Sequence, residues 1–150
     1  LIDIEDIDKI KKYCWGIHYF KQSKCFYITT TIEKPKKHCI LLHRYIMDCP
    51  LDMLIDHQDH DTFNNKKSNL RICTDKQNNE NILEAKSNNK YSKIRGVHYL
   101  KDSNKYKAQI VHYGKHICAG YFSDITEAEK AVIELRKKYF THSPECGVST

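Results

Sequence analysis

Asp56 and His57 stand side by side behind a short apolar run, Met53-Leu54-Ile55, and polar groups crowd the stretch that follows. In order these are Gln58-Asp59-His60-Asp61, Asn64-Asn65, Ser68-Asn69-Leu70-Arg71 and Gln77-Asn78-Asn79. Carboxylate and amide oxygens are hard ligands of the kind Mg²⁺ takes, and Mg²⁺ keeps several waters of its own. An imidazole accepts a proton from water near neutral pH. Neighbouring strand residues point to opposite faces, so Asp56 and His57 cannot both hold one ion unless the chain twists there. The division that suits both gives the Asp56 carboxylate to a metal and leaves His57 as a base. A metal beside a base is sufficient equipment for hydrolysing a phosphodiester. Taken singly, an Asp-His pair is ordinarily a surface dipeptide, and an Asn near a helix start is ordinarily a cap or turn residue. His60 and Asp61 are read as solvated.

The elements around these residues supply the missing ligand. Met53-Leu54-Ile55 and Leu70-Arg71-Ile72-Cys73 read as two short strands joined by a hydrophilic loop. Thr74-Asp75-Lys76-Gln77 is a capping box that opens a helix. A strand–loop–strand–helix segment folds back on itself, so Asn78 can join Asp56 as the second oxygen ligand of one divalent ion, Mg²⁺ or Mn²⁺. Upstream, Ile2, Ile4, Ile7 and Ile10 among acidic residues suit a short amphipathic helix. Residues 15–20 and 25–32 read as strands, and Lys34-Pro35-Lys36-Lys37 as a basic turn. Residues 39–47 read as a helix or a strand running into one, ended by Pro50.

The segment resembles the HNH (ββα-metal) nuclease motif of phage and intron homing endonucleases. The carrying residues are Leu42-His43-Arg44, Asp56-His57, Asn64-Asn65, Asn69-Leu70-Arg71 and Gln77-Asn78, in that order, within residues 1–86. The resemblance implies that Asp56 and Asn78 bind the metal and that His57 is the general base. It further implies that Asn69 fixes the loop carrying the base, and that the products bear 5′-phosphate and 3′-hydroxyl ends. No zinc is expected. His43 and Arg44 support the site, either by touching a phosphate or as structural residues. Asp59-His60-Asp61 stands where the family often has Asp-Gly-Asn, which bears on loop geometry without removing a proposed ligand.

Past a linker at Ser87-Asn88-Asn89-Lys90, alternation along 105–111 puts Tyr106, Ala108 and Ile110 on one strand face and Lys105, Lys107 and Gln109 on the other. Tyr113-Gly114-Lys115 suits a hairpin turn. Thr126-Glu127-Ala128-Glu129 reads as a capping box, followed by an apolar stripe of Ala128, Ala131, Val132, Leu135 and Tyr139 that covers one face of a small sheet. Residues 91–140 resemble the plant ethylene-response-factor (Apetala-two) DNA-binding domain through Arg95-Gly96-Val97, 105–110, Gly120-Tyr121-Phe122 and the Ala-rich helix. That resemblance implies a sheet face laid on duplex DNA, with Arg95, His98, Tyr99, Lys101, Lys105, Lys107 and Gln109 as contacts. His98, Leu100, Val111 and Cys118 replace residues of the plant members, so their target sequence does not carry over.

The fold class expected is α+β, with an HNH module over 1–88, a three-stranded antiparallel sheet on one helix over 91–142, and a tail over 143–150. Composition agrees with a polyanionic partner. The 150 residues carry 25 Lys and Arg against 19 Asp and Glu, a net charge of +6. Residues 1–90 contribute +2 of this and residues 91–150 contribute +4. A mean hydropathy of −0.68 without a long apolar run excludes a membrane-spanning helix. Seven cysteines, an odd number without a C-x-x-C pair, fit reduced and mostly buried thiols in a reducing intracellular compartment. Such a protein belongs in a host cell, encoded by a phage, virus or mobile element. Double-stranded DNA is the partner expected, with monomer and homodimer both open. A DNA-binding regulator with an inactive nuclease fold is the alternative. RNA binding is disfavoured because Tyr106 falls on the core face.

Overall fold

The structure is a computed structural model and describes residues 1–33, 36–82, 85 and 89–146, with the backbone alone for Cys146. Lys34 and Pro35 of the expected basic turn, Ser87 and Asn88 of the expected linker, and 147–150 of the expected tail lie outside these residues. The chain is mixed α+β and forms two compact units, 1–78 and 79–150. The sequence reading places the boundary at 88–91. The compact units divide earlier because residues 79–82 are hydrogen-bonded within the second unit, as described below.

The first unit opens with a 3₁₀ turn, Ile4–Asp6, and one helical turn, α1 (Ile7–Ile10), where a single amphipathic helix was expected. Its first sheet is antiparallel, in the order β1 (Gly16–Phe20), β2 (Cys25–Ile32), β3 (His38–Leu41). The β-branched run Ile28-Thr29-Thr30-Thr31-Ile32 favours extended backbone for the central strand. The ambiguous stretch 39–47 proves to be both alternatives in series: β3 runs directly into α2 (Leu42–Ile46), which buries Leu42, His43 and Ile46. A second, two-stranded sheet pairs β4 (Leu54–His57) with β5 (Leu70–Cys73), and α3 (Asp75–Glu80) follows. The expected capping box is present in both directions. The Thr74 N–H donates to Gln77 Oε1 at 2.9 Å, and the Gln77 N–H donates to Thr74 Oγ1 at 3.3 Å. The only tryptophan, Trp15, donates from Nε1 to the Ile10 carbonyl at 2.8 Å and packs with Tyr13 and Tyr45.

The second unit is the antiparallel sheet β6 (Val97–Leu100), β7 (Lys105–His112), β8 (Lys115–Phe122), covered on one face by α4 (Ile125–Tyr139). Its core joins Val97, Ala108 and Ile110 of the sheet to Ala128 and Val132 of the helix and to Phe140, with Tyr106, Ala131, Leu135 and Tyr139 packed around them. The alternation in β7 and the stripe on α4 therefore meet as expected. Gly96 takes φ +84°, and a Cβ there would lie 2.7 Å from both the Gln109 carbonyl oxygen and Val132 Cγ2, so only glycine fits. Tyr113 and Gly114 both take positive φ, 47° and 75°, which makes the hairpin a type I′ turn.

The start of α4 corrects the sequence reading. The cap is Asp124, whose carboxylate accepts from the Thr126 N–H and so takes the place assigned to a Thr126 box. Residues 143–146 are likewise not a loose tail. Ser143 is buried, and Glu145 pairs with Arg136 at 2.6 Å. The thiols differ too. Among the described side chains six cysteines are free, but only Cys73 is buried, while Cys14, Cys39 and Cys118 are exposed. No helix among the described residues is long and apolar enough to cross a membrane.

Candidate active site

Asp56 and His57 end β4, and both are buried, at 6% and 7% exposure. As strand neighbours they meet different surroundings. Asp56 lies opposite Arg71 in the β4–β5 register, and Arg71 Nη2 donates to its Oδ2 at 2.5 Å. His57 lies among rings: His43 of α2 crosses it edge-on at 5.1 Å between centroids, and Tyr27 of β2 stands at 6.5 Å.

Asn65 fixes the imidazole. Its Nδ2 donates to the Thr62 carbonyl at 3.3 Å, which turns Oδ1 toward His57 Nε2 at 3.4 Å. An amide oxygen only accepts, so Nε2 carries the proton and the lone pair sits on Nδ1. Burial lowers the His57 pKa, outweighing the Asn65 hydrogen bond and the charges of Asp59, Asp56 and Asp61, which act upward. His43 is pushed down to about 3, chiefly by burial and then by His57 and Arg44. Both rings are therefore neutral at pH 7, the form in which an imidazole takes up a proton.

The loop from β4 to β5 is built around Asp59 and Asn69. Asn69 Nδ2 donates to Asp59 Oδ1 and to the Asn64 carbonyl, each at 2.8 Å, while its Oδ1 accepts from the Asp59 N–H at 3.1 Å. Asn64 Nδ2 donates to Asp59 Oδ2 at 2.6 Å. Burial acts to raise the Asp59 pKa, but these hydrogen bonds and that from the Asp61 N–H outweigh it and hold the carboxyl below its ordinary value. Asp59 thus resembles a backbone turn more than a solvated acid. His60, which stands where the family often has glycine, adopts φ 63° and so keeps a left-handed turn at that position.

Arg44 is structural. Its Nη1 donates to the Met53 carbonyl at 2.8 Å, and its Nη2 to the carbonyls of Pro50 at 2.6 Å and Cys49 at 3.4 Å, closing the turn that leads into β4. Asn78 sits on α3, where its N–H donates to the Thr74 carbonyl at 2.9 Å.

Asp56 and Asn78 fit a hard divalent ion by donor type. A carboxylate offers about four lone-pair sites, and Arg71 Nη2 occupies one on Asp56. Among the described residues no three His, Cys, Asp or Glu side chains gather to hold an ion. The remaining positions around an ion on this pair would belong to water and substrate. Asn65, Asp59 and the partnership of Arg71 with Asp56 escaped the sequence reading. The Asp56–Arg71 pair follows once the β4–β5 register is known, whereas the partners of Asn65 are set by how the loop closes.

In the second unit the sheet face turned away from α4 carries His98 opposite Lys107 and Tyr121, Lys105 opposite Leu100, and Gln109 opposite Cys118. Burial, and then the Lys107 charge, lower the His98 pKa. Lys101 is exposed in the β6–β7 turn. Two residues expected as contacts on this face are placed elsewhere. Arg95 donates to the carbonyls of Asn79 at 2.7 Å, Glu80 at 2.8 Å and Ile82 at 2.5 Å, and lies over the Phe140 ring, so its guanidinium closes the unit instead of meeting a phosphate. Tyr99 pairs with Tyr106 in the register and therefore lies on the helix side.

An uncharacterized HNH endonuclease of Acanthamoeba polyphaga mimivirus is 39% identical over 79 residues, covering 49% of this chain and 38% of the relative. The chain thus spans less than half the length of the curated relative it matches. No family model matches the chain. No solved structure matches it.

Proposed function

We propose that the chain is an HNH-type DNA endonuclease of the homing kind, dependent on Mg²⁺ or Mn²⁺, with the exposed sheet face of the second unit holding duplex DNA. The observation that supports it best is the buried, neutral His57, set by Asn65 and adjacent to the Asp56 carboxylate. The partial likeness to a relative described as an HNH endonuclease points the same way. In the proposed step His57 Nδ1 takes a proton from a water. The water oxygen bonds to the scissile phosphorus as the bond to the 3′ oxygen breaks, and that oxygen leaves with the bonding pair and takes a proton from solvent water, giving 5′-phosphate and 3′-hydroxyl ends. Asp56 and Asn78 would hold one divalent ion, which when bound neutralises charge on the phosphate. Asn69 and Asp59 keep the loop closed behind the base, and the His43 ring packs edge-on against it. On the sheet face, Lys105 and Lys107 would neutralise phosphates, and Gln109 and His98 would read base edges.

Plasmid cleavage in Mg²⁺ or Mn²⁺, with end sequencing, tests this reading. His57→Ala should slow cutting by about 10²- to 10⁴-fold, and chelation should stop it. Equal rates for His57→Ala and wild type would overturn the mechanism. Duplex binding without any cutting would favour the inactive, regulatory alternative, for which the Arg71 contact on Asp56 is the observation to weigh.

A further inference from the structure

We propose that the exposed ring of Tyr91, backed by Tyr99 and Tyr106 and flanked by Lys101, is a stacking site for unpaired bases of single-stranded DNA, distinct from the sheet face read above as the duplex contact. The site lies wholly within the second unit and does not depend on the nuclease reading. Tyr106 is packed against the core and anchors the row. Tyr99 follows at 5.2 Å between ring centroids, and Tyr91 follows Tyr99 at 5.6 Å. The row leads outward from the core, and at its end Tyr91 is 61% exposed.

The rings are held in place. Tyr99 OH donates to Asn104 Oδ1 at 2.5 Å, and Lys101 Nζ stands 5.1 Å from the centre of the Tyr91 ring. An aromatic row that only closed the end of the sheet would bury its last member, whereas Tyr91 stays in solvent. The surroundings identify the occupant. Residues 89–104 carry four Lys and Arg against the single acid Asp102, and Lys90, Lys93 and Lys101 are exposed. A π-face beside ammonium groups matches a nucleobase and its phosphate, and it offers nothing to a neutral sugar that it would not offer better to an anion. In a duplex the base faces are stacked inside and only edges are presented. A tyrosine face therefore selects an unpaired strand.

The test is fluorescence anisotropy of the full chain with labelled oligo-dT and, separately, with a labelled duplex. Tyr91→Leu keeps apolar cover but removes the ring, and should weaken oligo-dT binding by about 5- to 100-fold while leaving duplex binding unchanged. Tyr91→Phe should retain oligo-dT affinity. Thermal unfolding of both variants confirms that the fold persists, as expected for so exposed a side chain. Absence of oligo-dT binding by wild type, unchanged binding by Tyr91→Leu, or equal loss for strand and duplex would each overturn the proposal. Oligo-dT binding by a protein that cuts nothing would leave this site standing and remove the nuclease reading alone.

Discussion

The His43 ring packs edge-on against His57, and its protonation is opposed by burial first and by His57 and Arg44 next. The sign of the consequence is fixed. The unfolded chain binds a proton at His43 near the ordinary value of 6.5, while the folded chain binds it only near about 3. Between those values the unfolded state holds more protons, so acid removes stability and alkali above that window adds none. His57, lowered by the same burial, acts in the same direction. The unfolding free energy from urea titrations followed by Trp15 emission should fall as pH drops through this window, by at most about 1.4 kcal/mol per pH unit for each histidine. His43→Phe, an aromatic without a titrating group, should flatten that fall. An unchanged slope would show that other groups carry the acid sensitivity.

Elements were legible in the sequence where their signals were local. The Thr74 box and the alternation in β7 involve residues within a few positions of each other, and both appear as read. The stretch 39–47 stayed ambiguous because a short apolar run fits either period, and β3 passing straight into α2 uses both. Arg95 and Tyr99 were misplaced for a different reason. Their partners lie across a register or a loop, at Tyr106 and Asn79, which spacing along the chain does not reveal. In the loop between β4 and β5 the contacts of Asn65 with His57 and Thr62 are likewise set by loop closure and not by spacing along the chain. Asn69 was legible only as part of a motif, and its bonds to Asp59 and Asn64 give that motif a physical basis. The tightest element contact is at Gly96. Gly96→Ala combines a left-handed backbone with a 2.7 Å approach to a carbonyl oxygen, and should cost about 2–5 kcal/mol, seen as a lower melting temperature of the α4 helix signal in far-ultraviolet circular dichroism.

At the scale of the whole molecule, charge and architecture divide together. The basic excess of 91–150 includes Lys105, Lys107 and Lys115 on the sheet strands and Lys130, Lys137 and Lys138 on α4, while acids of the first unit enter ion pairs, as with Glu5 and Asp6 around Lys67. Duplex binding through Lys105 and Lys107 should therefore weaken as salt rises, with the slope of log affinity against log salt shrinking by about 0.9 for each lysine changed to alanine. An unchanged slope would remove that face from the contact. Trp15 gives the two units separate voices. It is the only indole in the chain and is seated in the first unit, bonded to Ile10 and packed on Tyr13 and Tyr45. The longest helix, α4, belongs to the second. Indole emission thus reports on the first unit during a melt, while α4 dominates the helical ellipticity, the trace that Gly96→Ala should move.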